Sequence, residues 1–257
     1  MEATMSTMHA RERVLIGLAL AVITVLAWGH LAAAGSGSGM GTAMAMPGFA
    51  GWGLEMLATS VGMWAVMMVA MMLPSASPMI LTYARVRQQR ATHGRATMPT
   101  WLFVAGYLAV WMAAGMLLAI TQWGLHQSAL LSSAMGQVGP LLGGGLLITA
   151  GAFQFSGLKE ACLGKCRTPL SFLMTEWRDG PLGALVMGVR HGAFCTGCCW
   201  ALMLLMFVGG VMSLVWMAAL ALYFLAEKLL PRPELVGRAT GAALILGGVF
   251  VAAAGQW

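Results

Sequence analysis

The chain has 257 residues, 60% of them hydrophobic and only 9% charged, with 23 methionines, 5 cysteines and a formal net charge of +6. A charged share so far below the ~25% of soluble domains excludes an ordinary water-soluble fold, and the apolar content excludes disorder. Five cysteines are too few for a secreted disulfide scaffold of this length, and the surplus of positive charge reads as membrane topology rather than as a nucleic-acid footprint.

Crossing ~30 Å of hydrocarbon at ~1.5 Å per residue takes about 20 mainly apolar residues. Seven stretches meet or approach this length: Val14 to Ala34, Met56 to Ala84, Trp101 to Gln122, Val138 to Phe155, Leu182 to Phe207, Val211 to Ala226 and Val236 to Ala254. The sequence therefore predicts an all-α integral membrane protein, a polytopic bundle of about seven transmembrane helices. The number falls to six if the first stretch, which ends in Ala32-Ala33-Ala34, is a cleaved signal. One bundle over residues 14–255 follows a short amino-terminal segment, 1–13.

Thirteen of the fourteen lysines and arginines fall before the first stretch, between the second and third, fourth and fifth, or sixth and seventh, or, as Arg238, in the first turn of the seventh. That segregation predicts a bacterial inner (plasma) membrane protein with its amino terminus cytoplasmic and its carboxyl terminus outside. The exception is Arg190. A charge inside a span is costly, so it is expected to pair with Glu55 or Glu176, to snorkel to the interface, or to hold negative charge near a site.

The second stretch carries Met63, Met67, Met71 and Met72, then Pro74 and Pro78, which are expected to break or kink the helix and to leave carbonyls needing partners. Its methionines either pack the core or line a path for a soft cation. In the outer loop, Met40, Met44 and Met46 form a small thioether cluster. On the opposite side Cys162 and Cys166, at i and i+4 in a basic setting, suggest a second metal or thiol site, or else a short amphipathic helix.

The fifth stretch is the most informative. His191, Cys195, Cys198 and Cys199 are spaced i, i+4, i+7 and i+8, so they share one helical stripe that continues to Met187 and Met203. Thiolates, imidazole and thioethers form a soft ligand set that selects Cu(I) and, less strongly, Zn²⁺. Packing is the competing use of the stripe, and Gly188-x-x-x-Gly192 on the same helix suits close helix approach.

Three segments, Val69-Ala-Met-Met-Leu-Pro-Ser-Ala-Ser-Pro-Met79, the Leu158-to-Arg167 loop with its two cysteines, and Met187-Gly-Val-Arg-His-Gly-x-x-Cys-x-Gly-Cys-Cys-Trp200 followed by Glu227-Lys-Leu-Leu-Pro231, resemble the bacterial family described as predicted metal-binding integral membrane proteins. The resemblance spans about residues 50–255. It implies a metal set of His191, Cys195, Cys198 and Cys199, with Cys162 and Cys166 as a second group.

These readings lead to a protein that binds or transfers a soft metal ion, copper first and zinc second, and that is not primarily an enzyme. Its expected partners are the lipid bilayer, the metal ion, and a metallochaperone or another membrane subunit, with no nucleic acid. Met63, Met67, Met71, Met72, Met187 and Met203 are candidate pathway residues, and Arg190 is the candidate charge at the site. A membrane thiol–disulfide carrier and a non-catalytic scaffold subunit are the alternatives. The carrier lacks an obvious resolving cysteine in another span.

Overall fold

The computed structural model describes residues 2–35, 54–92, 98–131 and 136–255; the methionines at 40, 44, 46 and 135 lie outside them. The described chain is helical throughout its regular elements. We number these α1 (Glu2–Gly35), α2 (Leu54–Thr92), α3 (Thr100–Gln127), α4 (Pro140–Phe153), α5 (Gly157–Arg167), α6 (Pro169–Glu176), α7 (Pro181–Met203), α8 (Met206–Gly209), α9 (Leu214–Leu229) and α10 (Pro233–Ala254).

Among the described residues, five helical segments are long and apolar enough to cross a membrane: Arg11–Gly35, Glu55–Thr92, Thr100–Gln127, Pro181–Gly209 and Pro233–Ala254. The all-α polytopic bundle is as expected, with five such segments against the seven stretches counted in the sequence. The fourth predicted stretch contains only the 14 residues of α4, and the chain turns by 65° into α5. The sixth overlaps α9, which has 16 residues. At 1.5 Å per residue these reach about 21 and 24 Å, short of a hydrocarbon core. If α4 and α5 are taken together as one broken span, the total is six. The turn has a local cause: the Ser156 side chain accepts from the Lys159 backbone N–H and so starts a new helix immediately after α4 ends.

The two prolines of α2 do not break it. Helix continues from Leu54 to Thr92 with Pro74 and Pro78 inside. Each proline withholds the N–H that would have reached the carbonyl four residues earlier, at Ala70 and Pro74 respectively. Both carbonyls have substitute donors. The Trp28 indole of α1 donates to the Ala70 carbonyl at 3.1 Å, and the Ser77 hydroxyl donates to the Pro74 carbonyl at 2.7 Å. Side chains from one neighbouring helix and from α2 itself thus supply what the ladder lost.

Helices α3 and α7 approach at backbone distance. A Cβ on Gly188 would lie 2.0 Å from the Phe103 carbonyl oxygen, and one on Gly106 would lie 2.2 Å from that of Leu185. The Gly188-x-x-x-Gly192 pair therefore serves as a docking groove for α3, which brings Tyr107 over the cysteine stripe. A reciprocal contact joins α4 to α10 through Gly144, Gly151, Gly241 and Gly248.

The core runs through the centre of the bundle and contains Trp64, Trp111, Phe103, Tyr107 and all of Met63, Met67, Met71, Met72, Met187 and Met203. The outer faces of α1, α3 and α10 are apolar, with Leu18, Val25, Leu26, Leu117, Leu246 and Phe250 exposed. One end of the bundle is stitched by charge. Glu12 pairs with Arg87 and accepts from Gln88, Arg90 pairs with Asp179 at 3.1 Å and lies over the Trp177 ring, and Arg167 donates to the carbonyls of Lys228 and Leu230.

Candidate metal centre

Helix α7 presents His191, Cys195, Cys198 and Cys199 on one buried face, as the i, i+4, i+7, i+8 spacing requires. All five cysteines of the chain are buried free thiols. The thiols of Cys198 and Cys199 each donate to the Cys195 carbonyl at 3.0 Å. They are held against their own helix, while the Cys195 sulfur faces neighbouring helices.

Three other elements meet that sulfur. From α9, the Lys228 ammonium donates to it at 3.0 Å and to the Ser75 hydroxyl of α2 at 2.9 Å. The Tyr107 hydroxyl of α3 lies 3.4 Å away and donates to the Met72 carbonyl at 3.1 Å. From α5, the buried Cys166 thiol neighbours Cys195 and Cys198.

The last contact merges two groups that sequence reasoning kept apart. Helix α5 does not form a detached loop site: Lys159, Cys162, Leu163 and Cys166 make a buried i, i+3, i+4, i+7 stripe against the bundle. Gly197 permits the approach, since a Cβ there would lie 2.9 Å from the Cys162 sulfur. The cysteines of α5 and α7 form one thiol cluster.

His191 is 1% exposed and enclosed by rings, stacked on Tyr107 and Phe103 and met edge-on by Phe172. Its Nδ1 has no hydrogen-bond partner among the described residues. An orphaned buried nitrogen is rare in a folded protein and is a donor atom open to a ligand. The local chemistry is soft, with sulfur and imidazole and no carboxylate hydrogen-bonded to a thiol. Among the described residues no group of three or more His, Cys, Asp or Glu side chains is placed to hold a metal ion together. Such an arrangement suits an ion needing few ligands rather than a tetrahedral structural site.

Arg190 is not the charge at this centre. It pairs with Glu176 at the end of α6, and its side chain remains 44% exposed. Residue 190 precedes the stripe by one position and so points about 100° away from it. Lys228, Ser75 and Tyr107 are the residues sequence reasoning missed. Lys228 stands in the Glu227-Lys-Leu-Leu-Pro231 segment, where the sequence marks it only as one of the basic residues that set topology. Its neighbour Glu227 turns the other way and forms a buried ion pair with Lys159, joined by Gln154 and by the Tyr223 hydroxyl, which donates to Glu227 at 2.6 Å.

A family model described as a copper chaperone, PpoB2, matches residues 61–251. The chain belongs to the PpoB2 copper chaperone family. The match begins in α2 and ends in α10, so it includes every residue of the thiol cluster and its tyrosine, serine and lysine partners. The PpoB2 description names copper, where the resemblance read from the motifs had named only metal binding. The chain matches no curated protein and no solved structure.

Proposed function

We propose that this PpoB2-family protein is a membrane-embedded carrier of Cu(I). The ion is held as cargo between the thiols of Cys166 and Cys195, with Cys198, Cys199, Cys162 and His191 as further ligands during entry or release. The observation that carries the reading is the approach of Cys166 to Cys195 and Cys198 across two helices, beside an imidazole nitrogen with no partner. Soft sulfur donors favour Cu(I), and a copper chaperone family supplies the metal. The apolar outer faces of α1, α3 and α10 favour a bilayer as the surrounding solvent. The basic end bearing Arg87, Arg90 and Arg167 is the cytoplasmic one on the positive-inside rule, in a bacterial inner membrane with the amino terminus inside.

The cluster lies deep in the core, so the ion must pass buried side chains to reach it. Met67, Met71, Met72, Met187 and Met203 share that core and offer weak thioether ligands along the way. Binding releases protons from the thiols, because the thiolate is the ligand. The test is an anaerobic Cu(I) titration of the purified full chain and of a variant with Cys195, Cys198 and Cys199 replaced by serine. Tight binding by the first and its loss in the second is expected; equal binding overturns the reading.

The same cross-helix approach favours a second reading, thiol–disulfide exchange. Cys166 supplies the partner from another helix that the stripe lacks by itself. Oxidation of Cys166 and Cys195 to a disulfide would release two protons and pass two electrons to a partner disulfide, which becomes a dithiol. Reversible, metal-independent oxidation of the pair by an exogenous disulfide would favour it over copper carriage.

A further inference from the structure

Lys228 is the only charged side chain hydrogen-bonded to a thiol among the described residues. The other charges nearby have partners elsewhere. Lys159 is bound by Glu227 and Gln154, Arg190 by Glu176, and Arg167 by two backbone carbonyls. The Lys228 ammonium reaches the cluster from the last turn of α9, held between Ser75 of α2 and Cys195 of α7.

We infer that Lys228 is a selectivity-determining residue, a fixed counter-charge that makes the thiol site prefer a monovalent soft cation to a divalent one. This rests on the copper reading above and adds the reason for the choice of ion. Two thiolates and one ammonium leave a single negative charge, which Cu(I) neutralises and Zn²⁺ overshoots. Net charge away from water is strongly penalised, so the neutral assembly is favoured. Without the ammonium, two thiolates balance a divalent ion, and the preference moves toward Zn²⁺.

The geometry suits a counter-ion rather than a ligand. An ammonium has three donors and no acceptor lone pair, so while charged it contacts sulfur without competing for the metal. Ser75 holds the amine in place, and Tyr107 approaches the same sulfur without adding charge.

The experiment is an anaerobic competition titration of the purified full chain with Cu(I) and, separately, with Zn²⁺, each against a chromophoric chelator. It compares the native protein with Lys228→Gln, Lys228→Arg and Ser75→Asp. The ratio of the two affinities is the readout, because a general loss of structure would weaken both metals alike. Lys228→Gln should lower the preference for Cu(I) by about tenfold or more, since one unit charge a few ångströms away is removed. Lys228→Arg should keep the native preference. Ser75→Asp, which cancels the ammonium without removing it, should shift the ratio as Lys228→Gln does and serves if that variant fails to fold. An unchanged ratio in Lys228→Gln and Ser75→Asp overturns the inference while leaving copper binding intact, as does a fall in Lys228→Arg as large as in Lys228→Gln. A native protein that binds neither metal overturns the copper reading, and this inference with it.

Discussion

The hydroxyl of Tyr107 lies 3.4 Å from the sulfur of Cys195, and it is the same hydroxyl that donates to the Met72 carbonyl on α2 at 3.1 Å. One side chain on α3 thereby fixes the distance between the proline-containing helix and the thiol helix. Tyr107→Phe keeps the ring against His191 and removes only the oxygen. The variant should lose about 1 kcal/mol of stability, the usual net value of a buried hydrogen bond, and its Cys195 should be alkylated faster. Thermal unfolding in detergent together with mass-spectrometric mapping of alkylated cysteines checks both; unchanged alkylation would remove Tyr107 from the site.

Contact between α3 and α7 depends on the absence of a side chain at Gly188, where a Cβ would lie 2.0 Å from the Phe103 carbonyl oxygen. No rotamer change relieves a clash with backbone, so the helices must separate. Gly188→Ala should destabilise the fold by roughly 1–3 kcal/mol or more, the range for overpacked sites. The measurement is the unfolding midpoint, with Gly62→Ala as control because a Cβ there has no atom within 4 Å to meet.

Gly197 differs in kind, because what its missing Cβ would strike at 2.9 Å is the Cys162 sulfur rather than backbone. Gly197→Ala should push α5 from α7 and cost about 1 kcal/mol or more through overpacking. Adding Cys162→Ala removes the obstructing sulfur and should recover much of the loss. A double variant no more stable than the single one would show that the strain lies elsewhere.

The buried pair of Lys159 and Glu227 has side chains only 4% and 2% exposed. Removing one partner leaves an uncompensated charge in the core, so Glu227→Ala should cost roughly 3–5 kcal/mol. Replacing both, as Lys159→Met with Glu227→Leu, should be far milder. Unfolding of the two variants side by side tests this. A double variant as unstable as Glu227→Ala would assign the pair a structural role beyond charge compensation.

Much of the architecture was legible in the chain. The clear apolar runs became helices long enough to cross a bilayer, and the His191 to Cys199 stripe faces inward as its spacing requires. Helices α4 and α9 are shorter than a full span, which hydropathy misses because it measures apolar length but not where a cap such as Ser156 restarts a helix. Of the break or kink expected at Pro74 and Pro78, the break is absent, and the compensating donors are a tryptophan in another helix and a serine whose local bond has no hydropathy signature. The site was half legible. Periodicity groups residues on one helix, whereas the approach of Cys166, Lys228, Ser75 and Tyr107 to Cys195 is a matter of packing between helices. Arg190 drew attention because it interrupts an apolar run. The ammonium that reaches the thiols comes from the last turn of α9, where a lysine is unremarkable in sequence.

A copper site shared by the cysteines of α5 and α7 has a stoichiometry of its own. Cu(I) stoichiometry of the purified native chain, of Cys166→Ser and of Cys195→Ser tests it most directly. One shared site predicts a single tightly bound ion in the native protein, lost in either variant. Two ions in the native protein, with each variant losing a different one, would contradict it.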